Sequence, residues 1–342
     1  MTTENFELFK ALTEAYGPSG RENEVRDLIV GAIKHYVTSL KVDALGNLIA
    51  KKGNGGNVVI SAHMDEVAFT VTGFEEDGSL RFSQVGGITP TTLPSKRVYF
   101  PERSVCGVIG AKPIHLNREQ KASLGYTDLY IDIGCTDASQ AKDLIRLGDL
   151  AIFDTKTEIL NSENPAFSGK AVDDRLGCYI LCRLACDPRI DNCTFLFSVQ
   201  EEVGLLGASS FAANNHYDYG IALDVTTPND LPNVLGPNKV CELGKGPVIS
   251  FADGRCVYDS RYVFKIFTLL KENGTPCQTK AMRTGGNEAA SFINEGIGMK
   301  TVSISTPCRY IHGPVGLVWE KDIVKTEEAL RLILQKIQEG EL

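Results

Sequence analysis

The chain has 342 residues, 43% of them hydrophobic and 23% charged, the balance of an ordinary globular protein with length for one large core or two smaller ones. A net charge of -8 and the lack of any basic run argue against a nucleic-acid surface, where clustered Lys and Arg must replace counterions along phosphates. No apolar stretch approaches the roughly 18 to 20 residues of a membrane span, so a cytoplasmic protein with neither nucleic acid nor membrane as partner is expected.

Two helical patterns open the chain, "NFELFKALTEAYG" ending at Gly17 and "GRENEVRDLIVGAIKHYV" with apolar residues at helical spacing. "SLKVDALGNLIAKKG" predicts a hairpin turning at Gly46, and "NVVISAHMD" a buried strand ending near His63. From residue 67 to 159 the pattern changes to short alternating runs broken by Gly, Pro and Asp, such as "RVYF", "SVCGVIGAK" and "LGDLAIFDT", which predict a small all-β unit. Beyond it helix and strand alternate: helices at 175–186, near 206–213, and at 259–273, 287–294 and 320–338, with strands at 193–199, 219–225, 247–252, 277–281 and 301–306. That alternation predicts an open α/β sheet, so the simplest organisation is one α/β domain, residues 1–66 and 160–342, interrupted by a β-rich insertion at 67–159.

Ten cysteines are dispersed without a C-x-x-C pair and are expected to be reduced. Cys178, Cys182 and Cys186 share one helix face, where a buried apolar stripe is the plainer expectation than a thiolate metal site.

In an open α/β sheet, functional groups gather beyond the carboxyl ends of the strands. "VVIS" is followed there by His63 and Asp65, "FLFSVQ" by Glu201 and Glu202, "GIAL" by Asp224, and "VSIST" by the loop holding His312; "GKAVDDRLG" adds Asp173 and Asp174 just before a helix. Singly, each has a structural explanation: acidic pairs cap helices and favour their dipoles, and a lone His after a strand is usually a hydrogen-bonded packing residue. Together, two imidazoles and several carboxylates form a ligand set suited to a pair of divalent ions of the zinc, cobalt or manganese type. The His63-x-Asp65 spacing puts both side chains on one side of an extended strand, where Asp65 can orient the imidazole. Adjacent glutamates at a strand end diverge, so one can bind metal while the other serves as base.

"AHMDEVAF", "GKAVDDRLG", "VQEEVGLLGA", "ALDVT" and "RYIHGPVG" resemble, in order and spacing, the dinuclear metallo-aminopeptidases of metallopeptidase family 42, the glutamyl, leucyl and deblocking aminopeptidases of the tetrahedral type. The resemblance runs from about residue 5 to the C-terminus. It implies a mixed-sheet α/β zinc-peptidase (phosphorylase/hydrolase-like) catalytic domain, with the insertion a small barrel-like or PDZ-like all-β domain serving dimerisation. By motif, it implies that Asp173 bridges two divalent ions per subunit, zinc foremost with cobalt or manganese as alternatives. His63 and Asp224 complete one ion site and Glu202 and His312 the other; Glu201 is the general base, Asp65 orients His63, and Asp174 stands behind the ligands. The implied reaction is release of the N-terminal residue of a peptide by a hydroxide bridging the two ions, in a homo-oligomer ranging from dimer to dodecamer. Two stretches depart from the family pattern, "HGPVG" after the last histidine and "TGGNEAAS" with Asn287 and Glu288, and both bear on substrate preference. A cellulase-like glycoside hydrolase and a non-catalytic oligomeric scaffold are the competing readings.

Overall fold

Six consecutive residues, Val58–His63 (β3), are buried without exception, which only a strand covered on both faces permits. The computed structural model, which describes residues 2–112 and 124–342, places β3 inside an eight-stranded sheet. β3 lies between two parallel neighbours, Cys193–Ser198 (β12) and Tyr219–Thr226 (β13), and β13 pairs in parallel with Lys300–Pro307 (β16). The predicted hairpin is Ser39–Val42 (β1) with Leu48–Lys52 (β2), and β2 joins the sheet antiparallel to β12. At the far edge, Val248–Ile249 (β14) and Gln278–Thr279 (β15) are shorter than the runs at 247–252 and 277–281 suggested. Helices Thr3–Glu14 (α1), Asn23–Ile33 (α2), Val172–Cys186 (α4), Leu206–Asn214 (α5), Ser260–Glu272 (α6), Ala289–Asn294 (α7) and Glu320–Gln338 (α8) accompany this sheet.

The insertion forms a closed antiparallel barrel of Ala68–Phe74 (β4), Leu80–Val85 (β5), Arg97–Phe100 (β6), Val105–Ala111 (β7), Leu129–Asp132 (β8) and Leu150–Phe153 (β9). Its core is separate from that of the α/β part. Phe69 sits within it, edge-on to Phe82 and Phe153 with centroids 5.3 and 5.2 Å away, burial that stabilises by about 1.5–3 kcal/mol per ring. The barrel also contains a helix that the all-β reading passed over, Ala138–Leu144 (α3), started by the Asp137 side chain accepting the amides of Ser139 and Gln140.

A third small sheet pairs Ala166–Gly169 (β11) with Gly316–Trp319 (β17), segments that the sequence pattern leaves as loops, and adds Glu158–Ile159 (β10), which the pattern assigns to the end of the β-rich insertion but which pairs here and not in the barrel. Behind it lies a buried ion cluster. The Arg175 guanidinium, fully enclosed, donates to the carbonyls of Leu12, Ala15, Gly17 and Met64 and to Glu66, while Lys170 Nζ meets both Glu66 oxygens at 2.8 and 2.9 Å. Burial lowers the Lys170 amine to about 8 even though Glu66 opposes the shift. Arg175 thereby satisfies carbonyls at the end of α1 that the helix itself leaves without donors.

Candidate metal centre

The residues singled out beyond the strand ends converge on one crevice, where four neighbouring strands, β12, β3, β13 and β16, run parallel and so end on the same side. Ser198, the last residue of β12, stands level with His63 at the end of β3, and Asp224 of β13 stands level with Ser305 of β16. Asp173 and Asp174 open α4 but are not yet helical, and the peptide bond between them is cis; the regular helix starts at Arg175, as the sequence pattern indicates.

Asp173 lies between the two histidines. One of its oxygens is 3.1 Å from His63 Nε2 and the other 3.2 Å from His312 Nε2, while Glu202 Oε1 is 3.5 Å from His312 Nε2. His63, Asp173 and Glu202 form one group whose ligand atoms all lie within 4.8 Å of one another, and His63, Asp174 and Asp224 form a second. Among the described residues, no cysteine belongs to such a group; Cys178 donates to the His63 carbonyl, and the ten cysteines are free thiols, with Cys178 and Cys182 buried.

The glutamate pair does not cap α5. Glu201 and Glu202 occupy a turn ahead of it, and their amides donate to the two oxygens of Asp65 at 2.9 and 3.1 Å. Asp65 also accepts Ser19 Oγ at 2.6 Å, and its Oδ1 is 3.3 Å from His63 Nδ1. Since Nδ1 is also 3.1 Å from the Asp65 carbonyl, which can only accept, Nδ1 carries the proton and Nε2 is the nitrogen left to coordinate. Gln200 (φ 56°) and His312 (φ 57°) adopt the left-handed conformation, uncommon for residues with a side chain and held where surrounding contacts impose it.

The charges in the crevice are unbalanced. Asp173, Asp174, Glu201, Glu202 and Asp224 crowd around His63 and His312, with Lys280 on the wall of the adjoining cleft. Burial, and then repulsion from Asp173, pushes Glu202 up to about 7 and raises Asp224 well above the usual carboxylate range. Glu201 and Asp174 are raised chiefly by burial too, with Asp224 adding to both. Burial works against the charged His312 ring, but Asp173 and then Glu202 outweigh it and hold it at about 10. Asp173 itself is lowered: its burial is overcome by the bonds from His312 and His63. A crowd of carboxylates around two imidazoles is a site short of positive charge, and these ligand types are ones that divalent cations would suit. The buried Asp174 Oδ2, with no hydrogen-bond partner in the crevice, fits the same reading.

The two glutamates face different spaces. Glu201 lines a cleft of about 390 Å³ with Asp173, Asp224 and His312, whose walls also include Val240, Met282 and the glycines at 285 and 286. Glu202 instead lines a small cavity on the barrel side, beside Val67 and Phe153.

Residues 46–329 match the M42 glutamyl aminopeptidase family. The chain belongs to this M42 family. This M42 chain is 31% identical over 350 residues to the lysyl aminopeptidase of Pyrococcus furiosus, with 98% of each chain covered. Its fold superposes on the TET aminopeptidase of a marine-sediment Thaumarchaeota archaeon with a TM-score of 0.93, at 29% identity and 99% coverage of both chains. For the TET1 peptidase of Pyrococcus horikoshii, which can assemble into a tetrahedron or a large octahedral shell, the TM-score is 0.84 at 32% identity, covering 96% of this chain and 99% of that one. The M42 chain is therefore an aminopeptidase, and the mixed sheet with a small closed barrel is the fold its family resemblance implied.

Several buried charged residues near the crevice carry no signal in the sequence pattern. Glu288, which the sequence marks only as part of a stretch bearing on substrate preference, is 2% exposed at the head of α7, accepts the hydroxyl of Ser198 at the end of β12, and has its pKa raised by burial. Glu66, Lys170 and Arg175 lie inside the quoted motifs "AHMDEVAF" and "GKAVDDRLG", but nothing in spacing alone shows that they pair with one another.

Proposed function

We propose that this aminopeptidase removes the N-terminal residue of peptides with a pair of divalent ions held by His63, Asp173, Glu202, Asp224 and His312. Asp173 would be the residue that both ions share, and the observation that carries the reading is that its two oxygens face two different imidazoles, at 3.1 and 3.2 Å. When bound, the ions supply polarisation of the scissile carbonyl and activation of a water between them. Asp65 keeps the His63 proton on Nδ1 and fixes the backbone of both glutamates. Glu201, facing the cleft, takes a proton from the water and passes it to the leaving amine. The excess of carboxylates in the crevice attracts the free α-amino group, which limits action to chain ends. Zinc, cobalt and manganese all suit these ligands. By analogy with the assembling relatives, the subunits form a homo-oligomer through the barrel, and the enzyme works in the cytoplasm.

The test is a panel of aminoacyl anilides assayed after chelation and after reloading with zinc, cobalt or manganese, with cellulose as a parallel substrate. Loss on chelation and recovery with at least one metal is expected. Release from no anilide at any metal loading, or hydrolysis of cellulose instead, would overturn the reading.

A further inference from the structure

The barrel reaches into the ligand cluster. Where β5 ends at Val85, the chain turns through Gly86, Gly87 and Ile88. The Gly87 carbonyl is 2.7 Å from His312 Nδ1. A carbonyl has no proton to give, so His312 Nδ1 is the donor, and Nε2, which faces Asp173 and Glu202, is the nitrogen free for an ion. Gly86 has φ +84°, and a Cβ there would stand 2.8 Å from Val67 Cγ1 and 3.2 Å from both Cβ and Oε2 of Glu202. The turn thus touches both residues assigned to the same ion, one through a hydrogen bond and the other through the absence of a side chain.

The turn is in turn fixed by the barrel. Ile88 is buried in the barrel core, and the Tyr126 hydroxyl donates to its carbonyl at 2.8 Å. The Tyr126 ring packs edge-on against Phe82 with centroids 6.0 Å apart. A continuous path runs from the barrel core through Tyr126, Ile88 and Gly87 to His312.

We propose that the turn at residues 86–88 is a positioning element of the metal centre: the Gly87 carbonyl sets the rotation and protonated nitrogen of His312, and Gly86 leaves the space Glu202 occupies. The barrel, which carries none of the ligands, thereby tunes the affinity of the ion held by Glu202 and His312, whose facing atoms are 3.5 Å apart, more strongly than that of the ion at His63 and Asp224. For the metal-affinity part, the inference rests on the reading given under Proposed function.

Three variants test it, made in the full chain. Gly86→Ala fills the space beside Glu202; Tyr126→Phe releases the Ile88 carbonyl and touches no ligand; Gly134→Ala is the control, since Gly134 also has positive φ (+79°) in the barrel but open space around its Cβ position. Calorimetric titration of the stripped proteins with zinc should show two binding events in the wild type. In Gly86→Ala one of them weakens by about 10- to 100-fold, the loss usual for partners that orient ligands. Tyr126→Phe weakens the same event by a smaller factor, and Gly134→Ala leaves both unchanged. Independently of metal, hydrogen–deuterium exchange at the His312 imidazole C2, read by mass spectrometry, should be slow in the wild type and Gly134→Ala and faster in Gly86→Ala. Wild-type affinity for both ions in Gly86→Ala, or equal weakening of both, overturns the proposal. Should Gly86→Ala not fold, Tyr126→Phe decides by the same two readouts. If the wild type takes up no zinc, cobalt or manganese, the metallopeptidase reading fails on its own, and the exchange rate at His312 still decides whether the turn positions it.

Discussion

Strands β3 and β4 are separated by four residues and differ in almost every physical respect. β3 is buried along its whole length and parallel to both neighbours, so the places where it can present a polar group to substrate are its ends, and His63 is at one of them. β4 runs antiparallel to its barrel neighbours and alternates, with Phe69 and Val71 inward and Thr72 exposed. Parallel strands bring their carboxyl ends to one line, and four of them collect His63, Glu201, Glu202, Asp224 and His312 there. In an antiparallel barrel the ends alternate, so no rim gathers strand termini of one kind. The difference teaches where to look for chemistry in this chain, and also what each half can afford to lose.

The largest effect is expected at the strand ends. Glu201→Gln should lower kcat on aminoacyl anilides by about 10²- to 10⁴-fold, the usual contribution of a positioned base, while metal content measured by emission spectrometry stays at the wild-type level. A variant that lost its metal as well would erase the distinction drawn between Glu201 and Glu202. Glu202→Gln should do the opposite, weakening metal retention during dialysis by more than about tenfold. Next comes the buried ion cluster beside the same strand ends. Arg175→Met strips Glu66 of a partner and leaves several carbonyls without donors, so chemical denaturation should report a loss of about 3–5 kcal/mol. An unchanged midpoint would mean that this half tolerates broken buried pairs after all.

A pH experiment is subtler. The folded Lys170 amine gives up its proton near pH 8, well below the ordinary value of 10.5 for an unfolded chain. Between these two values the unfolded chain binds the extra proton, so this group's contribution to the free energy of unfolding rises with pH. Below pH 8 both states are protonated and the cost of burying the ammonium is present in full. The melting temperature of the wild type relative to Lys170→Met should therefore increase from pH 8 towards 10.5; a constant difference would remove Lys170 from the account. The smallest effect belongs to the barrel surface. Arg103→Gln breaks a pair with Asp149 at 2.7 Å that is partly open to solvent, and should lower the melting temperature by about a degree or two with kcat unchanged.

Much of this was legible in the sequence because it is local. Apolar runs of strand length, the Gly46 hairpin and the long amphipathic pattern of α8 need only neighbouring residues to be recognised, and the ligand residues follow such runs directly. Three kinds of feature were not legible. The sheet of β10, β11 and β17 depends on pairing Ala166 with Trp319, and strands of two to four residues have too little pattern to declare themselves. Helix α3 is hidden by its setting, since a capped helix of about two turns, Ala138–Leu144, sits among barrel strands; Asp137 is the available signal. The positions of Glu288, Lys170 and Arg175 are decided by which opposite charge lies across the core, a fact of tertiary structure. Glycines 86 and 87 sit in a turn at the end of β5; that Gly87 abuts His312, 225 residues later, is written only in three dimensions.

The sheet order has a consequence for the making of the protein. His63 and Asp173 are 110 residues apart in the chain, and His312 follows only after β16, the last strand of the eight-stranded sheet in chain order. A nascent chain that has completed β3 and the whole barrel holds one histidine of the set and no second imidazole to face it across Asp173. The ligand set is therefore complete only once the chain beyond β16, the strand that pairs with β13, is in place across from Asp173.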